Sequence, residues 1–522
     1  MDDLRQHVIE QPDVLSAKGT QAPDTLRLPV ETPCFRIDTV EWRGAEAFAW
    51  LPAEAPIAGA CIGLDGLRTL RDWAARRLIA RGYVTSQVTI PAQDLSIGRL
   101  IVEILPGRIG AIRDAGGGIG RTGTVFPHGT HALLNVRDLD QALENLRRLQ
   151  GQTAATFDLV PGGALGETDV IVRQTQDARR VHVVLTADNA GLDATGRNQL
   201  GAVVAIDSPL HLYDQLVLAY NVDAALQNKS LGSQSRSISW NVPFGYAALS
   251  LGVSESKSRQ TLPIDVPGII VPPLGQRTRR YEAGIGFVPY RSSHGKTSLR
   301  FRLTRRDDHT WLGSTELDVF RRDSVSYDIS IGHLEKRSRG TIDAAIGVRG
   351  SLAGWSARPG RISDRTEWDG RYQILTLRLA GGMPVRIGAR HVGYRGSVIL
   401  QHTPGAAPST EFMQIGGRYT VRGFDGNNTI AGASGWTWRN ELATGLFDVN
   451  EAYAALDAGR VSGTGAYEGA GGGGRTLIGV AFGLRGGYRM FGYDIALGMP
   501  VHRPSSLQTA TPTLDVSLTS RF

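Results

Sequence analysis

"SLRFRLT", residues 298–304, is the stretch whose reading decides the fold. Leu299, Phe301 and Leu303 alternate with Arg300, Arg302 and Thr304. An extended backbone sends the first set to one face and the second to the other, whereas a helix would scatter both around its circumference. The same two-fold rhythm spreads outward from this point. Upstream lie Leu216, Leu218, Tyr220 and Val222, then Ile238, Trp240 and Val242, then Ala247, Leu249, Leu251 and Val253. Downstream come Val325, Tyr327, Ile329 and Ile331, then Ile342, Ala344, Ile346 and Val348, then Leu375, Leu377 and Leu379. Near the end, Tyr493, Ile495, Leu497 and Met499 interleave with Asp494, Ala496 and Gly498. Half of each strand suits hydrocarbon and half suits water.

A soluble sandwich also alternates, because its outer faces are polar. Three features favour a membrane barrel. The polar positions are often Arg, Asp, Ser or Gly, as a wet lumen tolerates; aromatics recur at strand ends, as interfacial girdles do; and the chain stops on "TLDVSLTSRF", with Leu514, Val516, Leu518 and the terminal Phe522 on one face. The stretch from 180 to 522 divides into sixteen antiparallel strands at roughly 21 residues per strand and connection. The expected fold class is therefore mainly β.

Composition agrees. With 522 residues, 65 Gly, only 5 Met and 20% charged residues, the chain suits many turns and strands better than long surface helices. The net charge of +7 is spread among acidic residues rather than gathered in a block, which argues against a nucleic-acid partner. No run of 18 apolar residues exists, so a helical membrane span is excluded while a β-barrel is not. "MDDLRQHVIEQPDVL" shows no basic region followed by an apolar one, so either a secretory signal has been removed or the chain stays inside. Cys34 and Cys61 fit no CxxC spacing, which leaves a structural disulfide or two buried thiols, with the bridge favoured if the compartment is oxidising.

The part before the barrel is organised differently. Residues 1–33 form a polar arm in which Leu4, Val8 and Ile9 suggest a short plug helix, followed by a linker punctuated by Pro23, Pro29 and Pro33. Residues 34–106 read as strand, helix, strand, strand, with Leu67, Leu70, Ala74 and Leu78 on one helical face. The pattern recurs over 107–177, where Asn135 or Asp138 begins a helix carrying Leu139, Leu143, Leu146 and Leu149 inward. Two tandem α+β units, each with a sheet edge to which another strand can add, suggest interaction modules. The candidate edges are "TSQVTI", with Thr85, Gln87, Val88 and Ile90, and "ATFDLV", with Thr156, Phe157 and Leu159. The barrel would occupy 178–522.

Enzymatic motifs fail on inspection. "GIGRTG", 118–123, satisfies GxGxxG but no helix follows it, and "HGKTS" around Lys296 has Tyr290 where a P-loop needs its first glycine. There is no HExxH, no GxSxG and no histidine cluster at metal spacing, so no catalytic residue, metal site or cofactor is expected.

One loop stands apart. "GGRYTVRGFDGNN", 416–428, holds a single arginine between a β-branched residue and a glycine; by itself it could be an exposed hairpin tip. The arrangement as a whole resembles the outer-membrane transporters of two-partner secretion (TpsB type), the haemolysin secretion/activation family, related to the BamA-type insertases. The resemblance rests on "CFRIDTVEW", "GACIGLDGLRTL" and "ARGYVTSQVTIPAQDLSIGRLIVEILPGRIGAI" for a first POTRA domain with paired cysteines. It rests further on "LLNVRDLDQALENLRRLQGQTAATFDLVPGGALGETDVIV" for a second, and on "VRGF", Val421, Arg422, Gly423 and Phe424, for the superfamily's loop motif. "LDAGRV", 456–461, is similar to the family's F-x-D-x-G strand motif but has Ala455 in place of the aromatic, with Tyr453 two residues earlier.

The resemblance implies that a loop near 411–435 folds into the barrel and that Arg422 pairs with Asp457 on the wall, beside Gly459; Asp494 on a later strand is a second possible acceptor. It implies a pore in the outer membrane of a Gram-negative bacterium, in contact with its lipid. Periplasmic POTRA domains would bind a large unfolded exoprotein, such as an adhesin, cytolysin or contact-dependent toxin, and the pore would act as a monomer without enzymatic activity or cofactor. A barrel insertase and a passive porin-type channel are the alternatives.

Overall fold

The computed structural model describes residues 25–228, 231–261, 271–358, 370–388, 390–447, 449–463 and 475–522. The expected plug helix at Leu4 to Ile9 lies outside the described residues. The described chain separates into two units, one of which takes in residues 25–179 with Ser208–Tyr213 and Pro243–Tyr246, and the other the remaining described residues.

Within the first unit, two small domains repeat one plan. In the first, a parallel pair, Thr39–Arg43 with Arg99–Leu105, is extended by the antiparallel strand Gln87–Thr89 at the edge. The helix Leu64–Ala80 covers this sheet, burying Leu70, Trp73, Ala74 and Leu78 against Ile37, Leu100 and Val102. Cys34 and Cys61 form a disulfide with Cα atoms 5.3 Å apart, beside the two-residue ladder of Phe35–Arg36 with Cys61–Ile62. Closing a loop of this length removes roughly 3.5 kcal/mol worth of unfolded-chain freedom.

The helix itself has no side-chain cap of its own, because Gly63 stands at its N-cap. Glu31, from the preceding linker, supplies one: its carboxylate accepts from the backbone N–H groups of Gly63 (2.7 Å), Asp65 (2.9 Å) and Gly66 (2.8 Å). Partial desolvation pushes that carboxyl up, and the three N–H donors outweigh it, leaving the group below its ordinary value.

The second domain has the same order: Arg108–Asp114 parallel to Glu167–Arg173, with Thr156–Pro161 antiparallel at the edge. Its helix Val136–Arg147 begins at Asn135, whose side chain accepts from the Arg137 N–H at 2.9 Å. Leu139, Leu143, Leu146 and Leu149 are buried, together with Ile109, Val170, Val172 and Tyr213. The "GIGRTG" stretch is loop and a single 3-10 turn, Thr122–Thr124, with no phosphate-cradling helix after it.

The second unit is a closed barrel. Sixteen antiparallel strands follow one another in chain order from Val181–Asp188 to Thr513–Arg521, and the last pairs with the first. Thr315–Glu316 adds a two-residue extension to the strand Gly295–Leu312. Connections alternate: tight ones at 245–246, 292–294, 338–339 and 489–490 mark one end, and longer ones such as 189–198 and 403–433 mark the other.

The alternation seen in the sequence sorts the faces. Ile238, Leu251, Phe301, Ile329, Ile346, Leu377, Leu497 and Leu518 are all exposed, so the barrel's exterior is a continuous apolar band that water would penalise and lipid would not. At the tight-turn end, Phe244, Tyr290, Phe447, Tyr488, Phe491 and the terminal Phe522 are exposed as an aromatic girdle.

Candidate functional site

The connection 403–433 turns back into the barrel instead of standing above it. A short ladder, Met413–Ile415 with Ile430–Gly432, narrows its base, and the segment between carries Arg422. The hairpin-tip alternative predicts an exposed arginine; the Arg422 side chain is instead only 9% exposed.

The guanidinium is clasped by two carboxylates. Arg422 Nε and Nη2 donate to Asp457 at 2.7 and 2.8 Å, a two-pronged pair, while Nη1 donates to Glu441 at 2.8 Å and Nη2 also reaches the Asn440 carbonyl at 3.1 Å. Asp457 is fully buried; it further accepts from the backbone N–H of Arg422 (3.1 Å) and of Asn440 (3.2 Å), and Arg439 stands 3.6 Å away. Every lone pair of a carboxylate removed from water is thus directed at a donor, the condition under which a buried ion pair holds.

Parity along the strand explains the placement. In Asn450–Ser462, Tyr453, Ala455, Asp457, Gly459 and Val461 are buried on the inner face while Leu456 is exposed outside.

The backbone of the loop tip lies directly on the wall, and glycines make that possible. A Cβ at Gly479 would sit 1.9 Å from the Arg422 carbonyl oxygen, one at Gly498 would sit 2.8 Å from the Gly423 Cα, and one at Gly459 would touch Val421 at 3.0 Å. Gly423 itself has φ +93 and lies against the backbone of Met499, so no L side chain fits there. Three neighbouring strands therefore present a smooth strip of wall. Val421 and Phe424 are buried beside it with Ile415, Val461, Leu477 and Leu507.

Asp494 is a correction to the sequence reading: it accepts from the Tyr453 hydroxyl at 2.8 Å and not from Arg422. Asp457 is level with Gly479 and Pro500, whereas Asp494 is level with Arg485. Six residues along a strand is about 20 Å, beyond an arginine's reach.

Glu441 takes that role, and sequence reasoning missed it. The available signal was parity in "WTWRNELATG", where Arg439 and Glu441 fall on the face opposite Trp438 and Leu442. Glu441 continues into a chain of charges, with Arg485 at 2.7 Å and Arg395 at 3.2 Å, and Arg485 in turn meets Glu451 at 3.0 Å. Tyr453, two residues before the position where the strand motif expects an aromatic, lies under the Arg485 guanidinium at 4.8 Å.

A family model described as "Haemolysin secretion/activation protein ShlB/FhaC/HecB" matches residues 166–486. The chain belongs to this family. A ShlB-type POTRA model matches 35–107 and a further POTRA model 108–161 of the same transporter. Among its relatives, "Outer membrane transporter CdiB-2" of Burkholderia pseudomallei (strain 1026b) is 30% identical over 522 residues, covering 95% of this chain and 88% of that protein. The "Hemolysin transporter protein HpmB" of Proteus mirabilis is 23% identical, covering 88% and 81%. The solved structure "CdiB from Escherichia coli" superposes with a TM-score of 0.87 at 25% identity, covering 100% of this chain and 96% of that one. This member of the family is accordingly an outer-membrane pore of two-partner secretion, with its POTRA domains in the periplasm and a secreted exoprotein as partner.

The transporter's candidate cargo edges need a second correction. The strand expected over 85–90 is only Gln87–Thr89, because Tyr83–Ser86 closes a turn before it and Pro91 follows Ile90. Thr85 packs on Gly107 in that turn, and Ile90 is half-buried past the strand's end. Val88 and Phe157 point into the domain cores and Leu159 packs against the second, so any strand added at these edges would meet backbone and the side chains of Gln87, Thr89 and Thr156. Thr156–Pro161 offers the longer edge.

Proposed function

We propose that the two POTRA domains take hold of a large unfolded exoprotein by adding one of its strands to the edges Gln87–Thr89 or Thr156–Pro161, and that the loop tip then leaves its seat so that the chain can cross the lumen. Main-chain hydrogen bonds supply affinity at a sheet edge with little sequence demand, which suits a cargo that passes as an extended chain. The cargo class is an adhesin, cytolysin or contact-dependent toxin, and folding of the exported chain outside biases movement forward without a nucleotide or other cofactor. The pore acts as a monomer seated in outer-membrane lipid, binds no nucleic acid and performs no catalysis.

The observation that carries this reading is the clasp of Arg422 between Asp457 and Glu441. A permanent plug needs no polar fastening, whereas a seat built from charges can exchange protein partners for water when the loop moves. An insertase would share the loop but would not release a partner to the medium. The test is co-expression in a Gram-negative host with the large exoprotein encoded beside this gene, scoring the medium for that partner. The wild type should secrete it, and Arg422→Ala should secrete at least about tenfold less while still entering the outer membrane as a heat-modifiable barrel. Undiminished secretion by that variant would remove the loop from the mechanism.

A further inference from the structure

The outer face of the barrel is not uniform. Toward the long-loop end most strands stay apolar outside, as exposed Leu200, Trp438, Met499 and Val501 show. On Gly232–Phe244, Ala247–Gln260, Leu274–Arg291 and Gly295–Leu312 the pattern breaks. Arg236 is opposite Tyr220, Arg279 opposite Glu255, Arg277 opposite Lys257, and Arg305 opposite Tyr281. All share strand parity with exposed Ile238, Leu251, Ile285 and Phe301, so these charges point out of the barrel and not into it.

Their height is fixed by the girdle at the other end. Nine residues separate Tyr281 from Tyr290 at the tight turn. At about 3.4 Å per residue and a tilt of about 40°, that rise is about 23 Å, close to the ~25 Å apolar band of an outer-membrane barrel. Tyr281 and Arg305 therefore stand at the outer interface, with Arg279, Lys257 and Arg277 just above.

The carboxylates lie beneath the cations. Glu255 is 8% exposed and serves three of them, Arg279 at 2.7 Å, Arg236 at 2.9 Å and Lys257 at 3.3 Å, while the side chains of Arg236, Lys257 and Arg279 are 68%, 45% and 40% exposed. Asp323 is 22% exposed under Arg305, which is 59% exposed. Arg277 stands 5.2 Å over Trp311. What faces the membrane is an arginine-rich belt directly above an apolar surface.

We infer that this belt binds the phosphorylated glycolipid of the outer leaflet, lipopolysaccharide. Its phosphates would be forked by Arg236, Arg279 and Arg305, and its acyl chains would lie along Ile238, Leu251, Ile285 and Phe301. Planar guanidinium groups match phosphate in two-pronged fashion, and an amphiphile satisfies both halves of the surface where a free anion would use one. The belt sits on a limited arc of the barrel, so the lipid marks one side of the protein rather than coating it.

Full-length protein in detergent, examined by native mass spectrometry with bis-phosphorylated lipid A and with the same lipid dephosphorylated, tests the assignment. The wild type should retain the phosphorylated lipid about tenfold or more better than the other. R236S/R279S/R305S should lose that preference, while Arg460→Ser, an exposed outward arginine on a strand outside this arc, should keep it. Equal retention of the two lipids by the wild type overturns the proposal without reference to any variant. So does undiminished preference in the triple variant, or displacement of the lipid by inorganic phosphate at the same concentration.

Discussion

Two walls of the barrel face each other with the same exterior and opposite interiors. Asn450–Ser462 is thirteenth and Ala247–Gln260 fifth in a ring of sixteen strands. Outside, Leu456 and Leu251 are both exposed to the membrane. Inside, the thirteenth strand and its neighbours carry Asp457, Gly459, Gly479 and Gly498, shaped to one backbone and one guanidinium. The fifth strand and the one before it carry Ser250, Ser254, Ser256 and Ser258 beside Ser233, Ser235, Ser237 and Ser239. Gln199, Asn221, Ser233, Ser235, Ser256, Ser258 and Thr278 line one polar cleft on that side. A buried, saturated ion pair fixes a position, whereas a row of hydroxyls offers weak and interchangeable hydrogen bonds. On the proposed function, the first wall holds the resting loop and the second is the face along which an extended chain can slide.

The largest expected effect tests the first wall by charge. Arg422→Ala leaves Asp457, fully buried, with Arg439 at 3.6 Å and backbone donors. Asp457→Ala leaves Arg422 with Glu441 at 2.8 Å. Stranding a buried charge costs about 3–5 kcal/mol, so Arg422→Ala should be the more destabilising of the two, and the double variant should be milder than the sum. The temperature at which the barrel loses its heat-modifiable band on gels checks both orderings. Strict additivity would mean that the two side chains do not act as a pair, and the contrast between the walls would lose its strongest term.

A matched pair of glycines gives the next effect. Gly479→Ala brings a methyl group to 1.9 Å from the Arg422 carbonyl oxygen, so the loop tip must lift. Gly252→Ala, inside the opposite wall, meets nothing closer than 3.8 Å. Single-channel recording in planar bilayers should show larger or more frequent openings for Gly479→Ala and wild-type traces for Gly252→Ala. Identical traces from the two would erase the distinction drawn here.

The strands were legible because period two is local: Leu299, Phe301 and Leu303 announce a face before any partner is known. The paired seat was partly legible, since resemblance pointed to Arg422 and Asp457, which stand 2.7 Å apart. Choosing Glu441 over Asp494 required register, because two carboxylates of equal chemistry differ only in which rung of the ladder they occupy. The glycine strip was hidden for a related reason: Gly479 and Gly498 look like ordinary barrel glycines until a loop more than 50 residues away in sequence lies against both of them. The cap at Leu64–Ala80 was hidden as well, since its acceptor Glu31 belongs to the linker and not to the residues before the helix. The outward arginines could be read by parity, but their level at the membrane surface depends on tilt and strand length.

The smallest effect belongs to the second wall. Ser237→Ala and Ser254→Ala each remove one hydroxyl from a half-buried position in a polar cluster. Such substitutions shift stability by about 0.5 kcal/mol or less, and if the wall is a sliding surface no single hydroxyl should set the rate of export. Secretion into the medium should therefore stay near wild type for both. Ser254→Leu should do more than either alanine, because an apolar foothold in the lumen gives a passing chain somewhere to stop. A sharp loss from one alanine would show that a particular serine holds a fixed partner, and the second wall would then be a docking site like the first.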